Sequence, residues 1–350
     1  MKIDFLCSSG SPIGAVPADI YGKGLGGAEL SLMTLAEVLA KRGHEITIYN
    51  DPTSVGPQYG VNMMPLSAYN HASQRDVLVL FRTPHHTFGA AIGKKVFWSC
   101  DQFTSGDFES DIIRYADKVV CISPRHAQYF EENYHINAND PRMFITNLGV
   151  RTWDYPEPIQ TLDSGFEKKP GQMIFCSVPG RGATQLSEIW PRIKDSVPYA
   201  TLVITSDYRL WGHDAGDHEF RLKFLGMNGV NYLGNVSRHE LCRLQASSEV
   251  MVCPNTYDEM FCIACAECAY AGAVPVTSTY GALPTTNKFG IRIEGDPVHK
   301  PFQIEFANKV IRLCKDPELM AIYRHNTQVH AKTDFNWDVI ALLWEQQVLS

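Results

Sequence analysis

Two glutamates eight positions apart are the residues whose type and spacing most directly suggest chemistry in this chain. They are Glu259 and Glu267, and they follow a mostly apolar run, 249–253, that predicts a short buried strand. Residues 260–271 contain no Gly or Pro and are rich in Ala, so they predict a helix that ends at Gly272. Glu259 would lie at the helix start, where backbone N–H groups favour anions. Glu267 would lie roughly 12 Å further along the same face.

Two carboxylates on one helix face could hold two sets of hydroxyl groups at once, as a nucleotide-sugar presents them. The alternative is that both are ordinary solvated charges, because most glutamates are. The predicted helix is otherwise almost wholly apolar, and a buried carboxylate needs hydrogen-bond partners. Sugar hydroxyls would provide such partners, so the surroundings favour the ligand-binding interpretation.

A glycine-rich loop supports a competing hypothesis. Residues 22–27, Gly-Lys-Gly-Leu-Gly-Gly, match the G-x-G-x-x-G pattern, and Asp51 follows 24 residues after Gly27. That combination is typical of an NAD(P)-dependent oxidoreductase. In such enzymes the pattern begins directly after the first strand, whereas here about 13 residues intervene. A long loop that ends in Gly26 and Gly27 at a helix start instead favours a flap over a phosphate or a sugar.

Length and charge narrow the class of protein. A chain of 350 residues is long enough for two domains, and a net charge of −7 disfavours nucleic acid as the main partner. No apolar run approaches the roughly 20 residues that a transmembrane helix needs. The first nine residues are too short and carry an acid too early for a secretory signal, which predicts a cytoplasmic protein. The oligomeric state cannot be read from the sequence.

Three of the ten cysteines have a suggestive spacing. Cys262, Cys265 and Cys268 form a C-x₂-C-x₂-C run like that of iron–sulfur ligands. At helical spacing the same run marks one packed face, and no nearby loop supplies a well-spaced fourth cysteine. We favour packing.

Short apolar runs alternate with longer helical patterns in two stretches, which predicts an α/β fold of two doubly wound, Rossmann-like domains facing a central cleft. Strands are predicted at 2–8, 45–50, 76–81, 95–99, 118–122 and 143–147, and then at 172–177, 200–205, 230–233, 249–253, 274–277 and 290–293. Helices are predicted at 27–42, 183–196, 216–227, 237–247 and 259–271, and two or three more from about 301 to the end. An aperiodic, Pro-containing passage at 156–171 predicts a linker between domains 1–155 and 172–325.

Five segments, taken in order, resemble glycosyltransferases of the GT-B fold, specifically family 4, over nearly the whole chain. They are 26–47, 117–123 with 147–150, 177–191, 259–276 and 335–337. The resemblance implies that the last helix, in 326–350, packs back on the N-terminal domain. It also implies a retaining transfer of a sugar from a nucleotide-diphosphate sugar to a glycan or another hydroxyl acceptor.

The resemblance assigns roles to charged side chains. Glu267 would hold the donor ribose hydroxyls, and Glu259 would contact hydroxyls of the transferred sugar. Arg181 would pair with the diphosphate, although it could also be an ordinary exposed loop cation. Asp101 joins Glu259 and Arg181 as a catalytic candidate.

Backbone groups would complete the implied donor site. Gly26 and Gly27 would approach the diphosphate from the first domain. The amides of Met260, Phe261 and Cys262 would lie near the sugar and the β-phosphate, and Gly234, Asn235 and Val236 would edge the nucleobase. The implied mechanism needs no metal and no other cofactor, because Arg181 and helix N-terminal amides would stabilise the departing diphosphate. A phosphate oxygen would take the acceptor proton.

The chain departs from the family pattern in 177–191, which resembles the family's phosphate-binding loop, and in 259–276, which resembles its signature. The loop lacks the usual Lys after Arg181, so Lys288 or Arg82 could replace that cation. Cys262 stands where the signature usually has Gly, which would narrow the sugar pocket.

A third departure lies in the first domain. The family often has His-Asp where this chain has Cys100 and Asp101, so the histidine contact is lost or moved to His85 or His86. Cys100 and Cys262 therefore leave open a catalytically weakened, sugar-nucleotide-binding protein as a further alternative.

Overall fold

A computed structural model describes residues 1–7, 14–22, 24–84, 86–102, 112–160, 167–209 and 217–350. These residues form two compact units. Unit 1 comprises Met1–Gly149 with Trp337–Ser350, and unit 2 comprises Val150–Asn336. The domain division predicted at 1–155, 156–171, 172–325 and 326–350 stays a prediction.

Each strand corresponds to a short, mostly buried run. In chain order the strands are β1 Lys2–Leu6, β2 Glu45–Tyr49, β3 Gly56–Gln58, β4 Val61–Met64, β5 Val77–Phe81, β6 Lys94–Trp98, β7 Lys118–Cys121, β8 Met143–Ile145, β9 Gln172–Phe175, β10 Thr201–Ile204, β11 Val230–Tyr232, β12 Val250–Cys253, β13 Val274–Ser278 and β14 Ile291–Ile293.

The α-helices separate these strands and form the tail. They are α1 Gly27–Lys41, α2 Pro124–Tyr134, α3 Glu157–Gln160, α4 Ala183–Ser196, α5 His218–Phe224, α6 Arg238–Ser247, α7 Ile263–Tyr270, α8 Leu283–Thr286, α9 Lys300–Lys315, α10 Pro317–Asp334 and α11 Trp337–Leu343. Short 3₁₀ turns lie at Pro17–Ile20, Leu66–Ala68, His86–Ala90 and Thr152–Asp154, and a π-helical turn at Trp344–Leu349 ends the chain. Among the described residues, no helix combines the length and apolar character required to span a lipid bilayer.

In its described part, unit 1 holds an eight-stranded sheet in the order β3-β4-β2-β1-β5-β6-β7-β8. All neighbouring strands pair in parallel except β3 with β4. Strand β5 is buried at every residue, as expected of a parallel strand covered on both faces. The strand order reverses between β1 and β5, and ligands of doubly wound sheets bind at the carboxyl ends of strands at such a point.

Unit 2 holds, among its described residues, a six-stranded parallel sheet in the order β11-β10-β9-β12-β13-β14. Its order reverses between β9 and β12. The apolar core that covers the sheet includes Phe175, Trp190 and Phe306, all buried. The predicted fold class, α/β with two Rossmann-like parallel sheets, is confirmed.

The last helices are fixed to unit 1 by aromatic packing and by charge. The rings of Trp98 and Trp344 meet edge to face at 5.1 Å. Arg42 Nε and Nη2 donate to Glu345 at 2.9 and 2.6 Å, and His44 lies 2.9 Å from the same carboxylate. These hydrogen bonds, Arg42 first, lower the pKa of Glu345 to about 2. A carboxylate with these partners stays charged and keeps the tail anchored.

Differences from the predicted elements have local causes. Strands β3 and β4 were not predicted, because the runs are only three and four residues long and β3 contains Gly56 and Pro57, residue types that are depleted in strands. The helix predicted at 259–271 begins only at Ile263. Residue 8 of the first predicted strand, residue 216 of the predicted helix 216–227 and residues 161–166 of the predicted linker lie outside the described residues.

Candidate functional site

An arginine–glutamate pair lies at the strand-order reversal of unit 2. Arg181 follows β9 and Glu259 follows β12. Arg181 Nη1 donates to both carboxylate oxygens of Glu259, at 2.9 and 3.0 Å, and its guanidinium carbon lies 4.4 Å from the centre of the Tyr257 ring. The Arg181 side chain is 25% exposed, whereas that of Glu259 is 5% exposed. The cation is therefore the more exposed member of the pair.

Two glycines allow the backbone to bring this pair together. Gly182, the N-cap of α4, has φ +115°, and a Cβ there would lie 2.6 Å from the Pro254 carbonyl oxygen. Gly281 has φ +61° and lies against the backbone of Glu259, whose carbonyl accepts from Ala282 N at 2.6 Å. At both glycines the backbone thus approaches a neighbouring loop so closely that a residue with a β-carbon would not fit.

Burial and charge act in opposite directions on Glu259. Loss of solvation raises the pKa of the Glu259 carboxyl above its ordinary value, and the charge and hydrogen bond of Arg181 oppose this rise. The salt bridge with Arg181 thus favours the ionised form of Glu259 at a position where burial alone would favour the protonated form.

The turn between Glu259 and α7 overturns one prediction. Cys262 is the N-cap of α7 and has φ +69° and ψ +73°, a left-handed conformation that costs about 1–3 kcal/mol in a residue other than glycine. Glu259 therefore lies outside the helix, and the predicted spacing of Glu259 and Glu267 along one helix face is wrong. Met260 and Phe261 are buried in this turn, where Thr286 Oγ1 donates to the Phe261 carbonyl.

Glu267 lies inside α7 and has protein partners. Arg238 Nη1 donates to Glu267 Oε1 at 2.6 Å, and Gln245 Nε2 donates to Glu267 Oε2 at 3.2 Å. The Glu267 and Arg238 side chains are 4% and 6% exposed. Sugar hydroxyls are therefore not needed to satisfy this buried carboxylate, and its predicted role in donor binding stays a prediction.

The Glu267 salt bridge belongs to a larger buried network. Arg238 Nε donates to Asp154 Oδ2 at 2.8 Å, and Arg151 Nε donates to the same oxygen at 3.1 Å. Tyr155 Oη donates to Gln245 Oε1 at 2.6 Å. The network contains two arginines, Arg151 and Arg238, and two carboxylates, Asp154 and Glu267, so its charges balance. Sequence reasoning missed this network, and the spacing of Arg151 and Asp154 was its only local signal.

The predicted nucleobase edge is held by an aspartate. Asn235 N donates to Asp207 Oδ2 at 3.3 Å, and Arg209 Nε donates to the same oxygen at 2.6 Å. Gly234 has φ +76°, which sets the turn after β11, and Val236 is half-buried. The contact of these residues with a base stays a prediction.

Unit 1 carries a second charged cluster at its own strand-order reversal. Arg82 follows β5 with φ +73° and donates from Nη1 to Glu29 at 2.9 Å and from Nη2 to Asp101 Oδ1 at 3.3 Å. Gly26 is the N-cap of α1 and Gly27 its first residue. Two carboxylates neutralise Arg82, which makes it a poor replacement for a missing phosphate-loop cation. Lys288, the other suggested replacement, is exposed and stacks on Phe289 at 5.4 Å.

A buried histidine supports the Asp101 backbone. His126 Nδ1 accepts from Ile122 N at 3.3 Å, and Nε2 lies 3.1 Å from the Asp101 carbonyl, to which it donates. Burial lowers the pKa of His126 to about 3, so the ring is neutral. The pKa of the neighbouring Cys100 thiol is raised, chiefly by burial. His85 and the side chain of His86 lie outside the described residues.

Two further sequence signals proved to be structural. Asp51 Oδ1 accepts from Leu66 N at 2.7 Å and so links the chain after β2 to the chain after β4. Cys262, Cys265 and Cys268 belong to the apolar core of unit 2, where Cys268 Sγ lies 3.5 Å from Cys176 Sγ. In the part of the chain that the structure describes, no three His, Cys, Asp or Glu side chains are grouped so as to hold a metal ion.

One protein family and several solved structures are similar to this chain. Residues 166–330, which carry most of unit 2, match the family model described as Glycosyl transferases group 1. No curated protein gave a significant match.

Solved structures share the fold at low sequence identity. Sucrose-phosphate synthase from Thermosynechococcus elongatus is 15% identical with a TM-score of 0.69, covering 99% of this chain and 97% of that one. A glycosyltransferase from Rickettsia africae is 15% identical with a TM-score of 0.72, covering 99% and 98%. Anabaena HepE in complex with UDP and glucose is 17% identical with a TM-score of 0.69, covering 100% of both chains.

The fold is that of the GT-B glycosyltransferases. The protein is a glycosyltransferase, EC 2.4. The alternative of an NAD(P)-dependent oxidoreductase is not supported, because the pattern at 22–27 begins after a 3₁₀ turn rather than at the end of β1.

We predict that Arg238→Met lowers the free energy of unfolding by about 3–5 kcal/mol, because it leaves Glu267 and Asp154 buried without their shared cation. Urea denaturation of the full chain measures the loss. Lys300→Met is the control, since Lys300 pairs with Glu188 at the surface of the same unit and should cost under about 1 kcal/mol. The double variant Arg238→Met/Glu267→Gln should lose less than the sum of its parts. Equal, small losses of unfolding free energy in all variants would show that the network does not contribute to stability.

We also predict that His126 makes unit 1 less stable in acid. Its folded pKa is lowered from 6.5 to about 3, so the unfolded chain takes up the proton first as the pH falls. Its contribution is intact above pH 6.5 and is lost below it, by about 1.4 kcal/mol per pH unit. Stability curves of wild type and His126→Gln should therefore converge on acidification, whereas exposed His239→Gln should follow the wild type. Parallel curves would contradict the assignment.

Proposed function

We propose that this glycosyltransferase moves a sugar from a nucleotide-diphosphate sugar to a glycan or another hydroxyl acceptor, with retention of anomeric configuration. We place the donor in unit 2, at the carboxyl ends of β9 and β12. The observation that carries the proposal is the Arg181–Glu259 pair at this strand-order reversal, with the cation as its exposed member. The group 1 family match over residues 166–330 supports the same placement.

Arg181 is suited to the leaving group. When the bond between the anomeric carbon and the phosphate oxygen breaks, the diphosphate gains negative charge. A guanidinium fixed by Glu259 and stacked on Tyr257 can stabilise that charge without first reorganising. The turn from Met260 to Cys262 lies before the first turn of α7, so its amides could add backbone donors.

The acceptor proton needs no protein base in this scheme. The acceptor oxygen forms a bond to the anomeric carbon on the face that the diphosphate leaves, and its proton passes to a phosphate oxygen. The reaction as proposed uses no metal, because Arg181 supplies the positive charge.

The two glutamates would bind different parts of the donor. Glu259 would accept hydrogen bonds from the transferred sugar. Each oxygen of Glu267 already accepts one protein hydrogen bond, and a carboxylate oxygen can accept two. Ribose hydroxyls could therefore bind Glu267 while Arg238 and Gln245 keep it in position.

UDP-sugars are the first donors to test, because structures of HepE contain UDP, UDP with glucose, and UDP-glucose. A thermal-shift comparison with GDP- and ADP-sugars identifies the base, since a ligand at 100 times its Kd adds about 2.7 kcal/mol of stability.

We predict that Arg181→Ala lowers kcat by about 10²–10³-fold with a smaller rise in the donor KM, because the guanidinium acts mainly on the departing diphosphate. Glu267→Ala should instead mainly raise the donor KM. Initial rates at varied donor concentration separate the two effects. Arg192→Ala, which removes an exposed cation of α4, is the control and should match the wild type. If Arg181→Ala and Glu267→Ala both left kcat and the donor KM unchanged, the assignment of the donor site to these residues would be wrong.

We predict that the first product seen by ¹H NMR has the anomeric configuration of the donor, and that EDTA leaves the rate unchanged. An inverted product would exclude the proposed proton transfer on one face, and loss of activity in EDTA that added metal restores would exclude the metal-free scheme. Binding of a nucleotide-sugar without transfer or slow hydrolysis would instead favour a catalytically weakened binding protein.

A further inference from the structure

A cavity lined by basic side chains lies at the β14 edge of the sheet in unit 2. Its volume is about 320 Å³, and its lining includes Arg292, Lys309, Arg312, Leu319 and Tyr323. These side chains come from the edge strand β14, from α9 and from α10. The cavity shares no lining residue with the Arg181–Glu259 site.

Regular geometry on three elements brings the cations together. Arg292 is the exposed central residue of β14, between buried Ile291 and Ile293, so its side chain lies on the opposite face of the strand from theirs. Lys309 and Arg312 are three residues apart on α9 and share a helix face. Leu319 and Tyr323, four residues apart, do the same on α10.

The positive charges at the cavity have few carboxylate partners to neutralise them. Arg292 Nη1 donates to the carbonyls of Pro284, Asn287 and Lys288 at 3.0, 3.3 and 3.0 Å, which fix the guanidinium but carry no net charge. Among the described residues, neither Arg292 nor Arg312 has a carboxylate partner.

Lys309 alone of the three has one, Glu305 at 3.0 Å. Three positive charges and one negative charge thus meet at a cavity in a chain whose net charge is −7. A local charge of this sign attracts anions against the field of the whole protein.

We propose that this cavity binds a small phosphate monoester. The volume is at the lower end of ligand-binding pockets, which suits a phosphate group with a short organic part. The planar fork of an arginine matches phosphate oxygens, Lys309 adds a point charge, and the Tyr323 hydroxyl can donate one more hydrogen bond. Leu319 provides an apolar wall for the organic part. This anion site is additional to the donor site and does not depend on the proposed function.

The test is titration calorimetry of the whole 350-residue chain with glycerol 3-phosphate, and separately with inorganic phosphate. We expect saturable binding that Arg312→Gln and Lys309→Gln each weaken about tenfold, the loss typical of a charge-assisted hydrogen bond. Lys315→Gln, an exposed cation on the same helix outside the cavity lining, should not change the Kd. Arg181→Ala should leave it unchanged as well. Tyr323→Phe, which keeps the ring, should weaken binding less than loss of a charge.

Three outcomes would overturn the proposal. One is the absence of saturable binding of either probe with a Kd below about 10 mM. Another is binding that Arg181→Ala abolishes and Arg312→Gln leaves intact, which would place the probe in the donor site. The third is equal weakening by Lys315→Gln, which would show unspecific attraction to the basic surface of α9. Circular dichroism of each variant verifies that it is folded.

Discussion

The Arg181–Glu259 salt bridge depends on how closely backbone segments can approach one another. Gly182 lies against the Pro254 carbonyl and Gly281 against the backbone of Glu259, and both have positive φ. A β-carbon at Gly182 would separate the loops after β9 and β12 and so lengthen a hydrogen bond of 2.9 Å, and one at Gly281 would push the loop after β13 away from the backbone of Glu259. The strand order places the loops after β9 and β12 side by side, Gly182 closes the remaining distance between them, and Gly281 lets the loop after β13 support Glu259. The site is thus a consequence of topology and of two residues without side chains.

The two glutamates of the signature occupy different electrostatic environments. Glu259 faces a partly exposed arginine beside Tyr257, whereas Glu267 is enclosed with Arg238, Asp154 and Gln245. Removing a single partner from an enclosed network exposes the remaining charges to the full cost of desolvation, and that cost maintains the network as a unit. Because Arg238 begins α6 and Glu267 lies within α7, the network also sets the positions of these two helices.

Much of the fold followed from the sequence, because buried parallel strands are continuous apolar runs. The Val77–Phe81 and Val250–Cys253 strands were predicted within a residue of their bounds. The start of α7 was not, since Ala-rich residues predict helix and only tertiary contacts show that Cys262 is left-handed. Arg181 and Glu259 were selected separately, but their contact joins residues 78 positions apart, which no local pattern encodes. The partners of Glu267 were missed for the same reason, since Arg238 reads as one more charge in the first turn of a helix.

The pairing of Arg181 with Glu259 also bears on how the proposed transfer could be accelerated. In the resting site the two charges balance, so a donor that binds there gains little from the net charge of the pair. During transfer the diphosphate becomes more negative and the anomeric centre more positive. In the proposed binding mode the guanidinium would face the former and the Glu259 carboxylate the latter, so the pair would form a dipole aligned with this separation of charge. Its stabilisation grows as the bond breaks, and only interactions that are stronger in the transition state than in the bound substrate raise kcat. An arginine without a carboxylate partner would also stabilise the bound ground-state diphosphate. Part of its effect would then appear as tighter donor binding and not as a higher kcat.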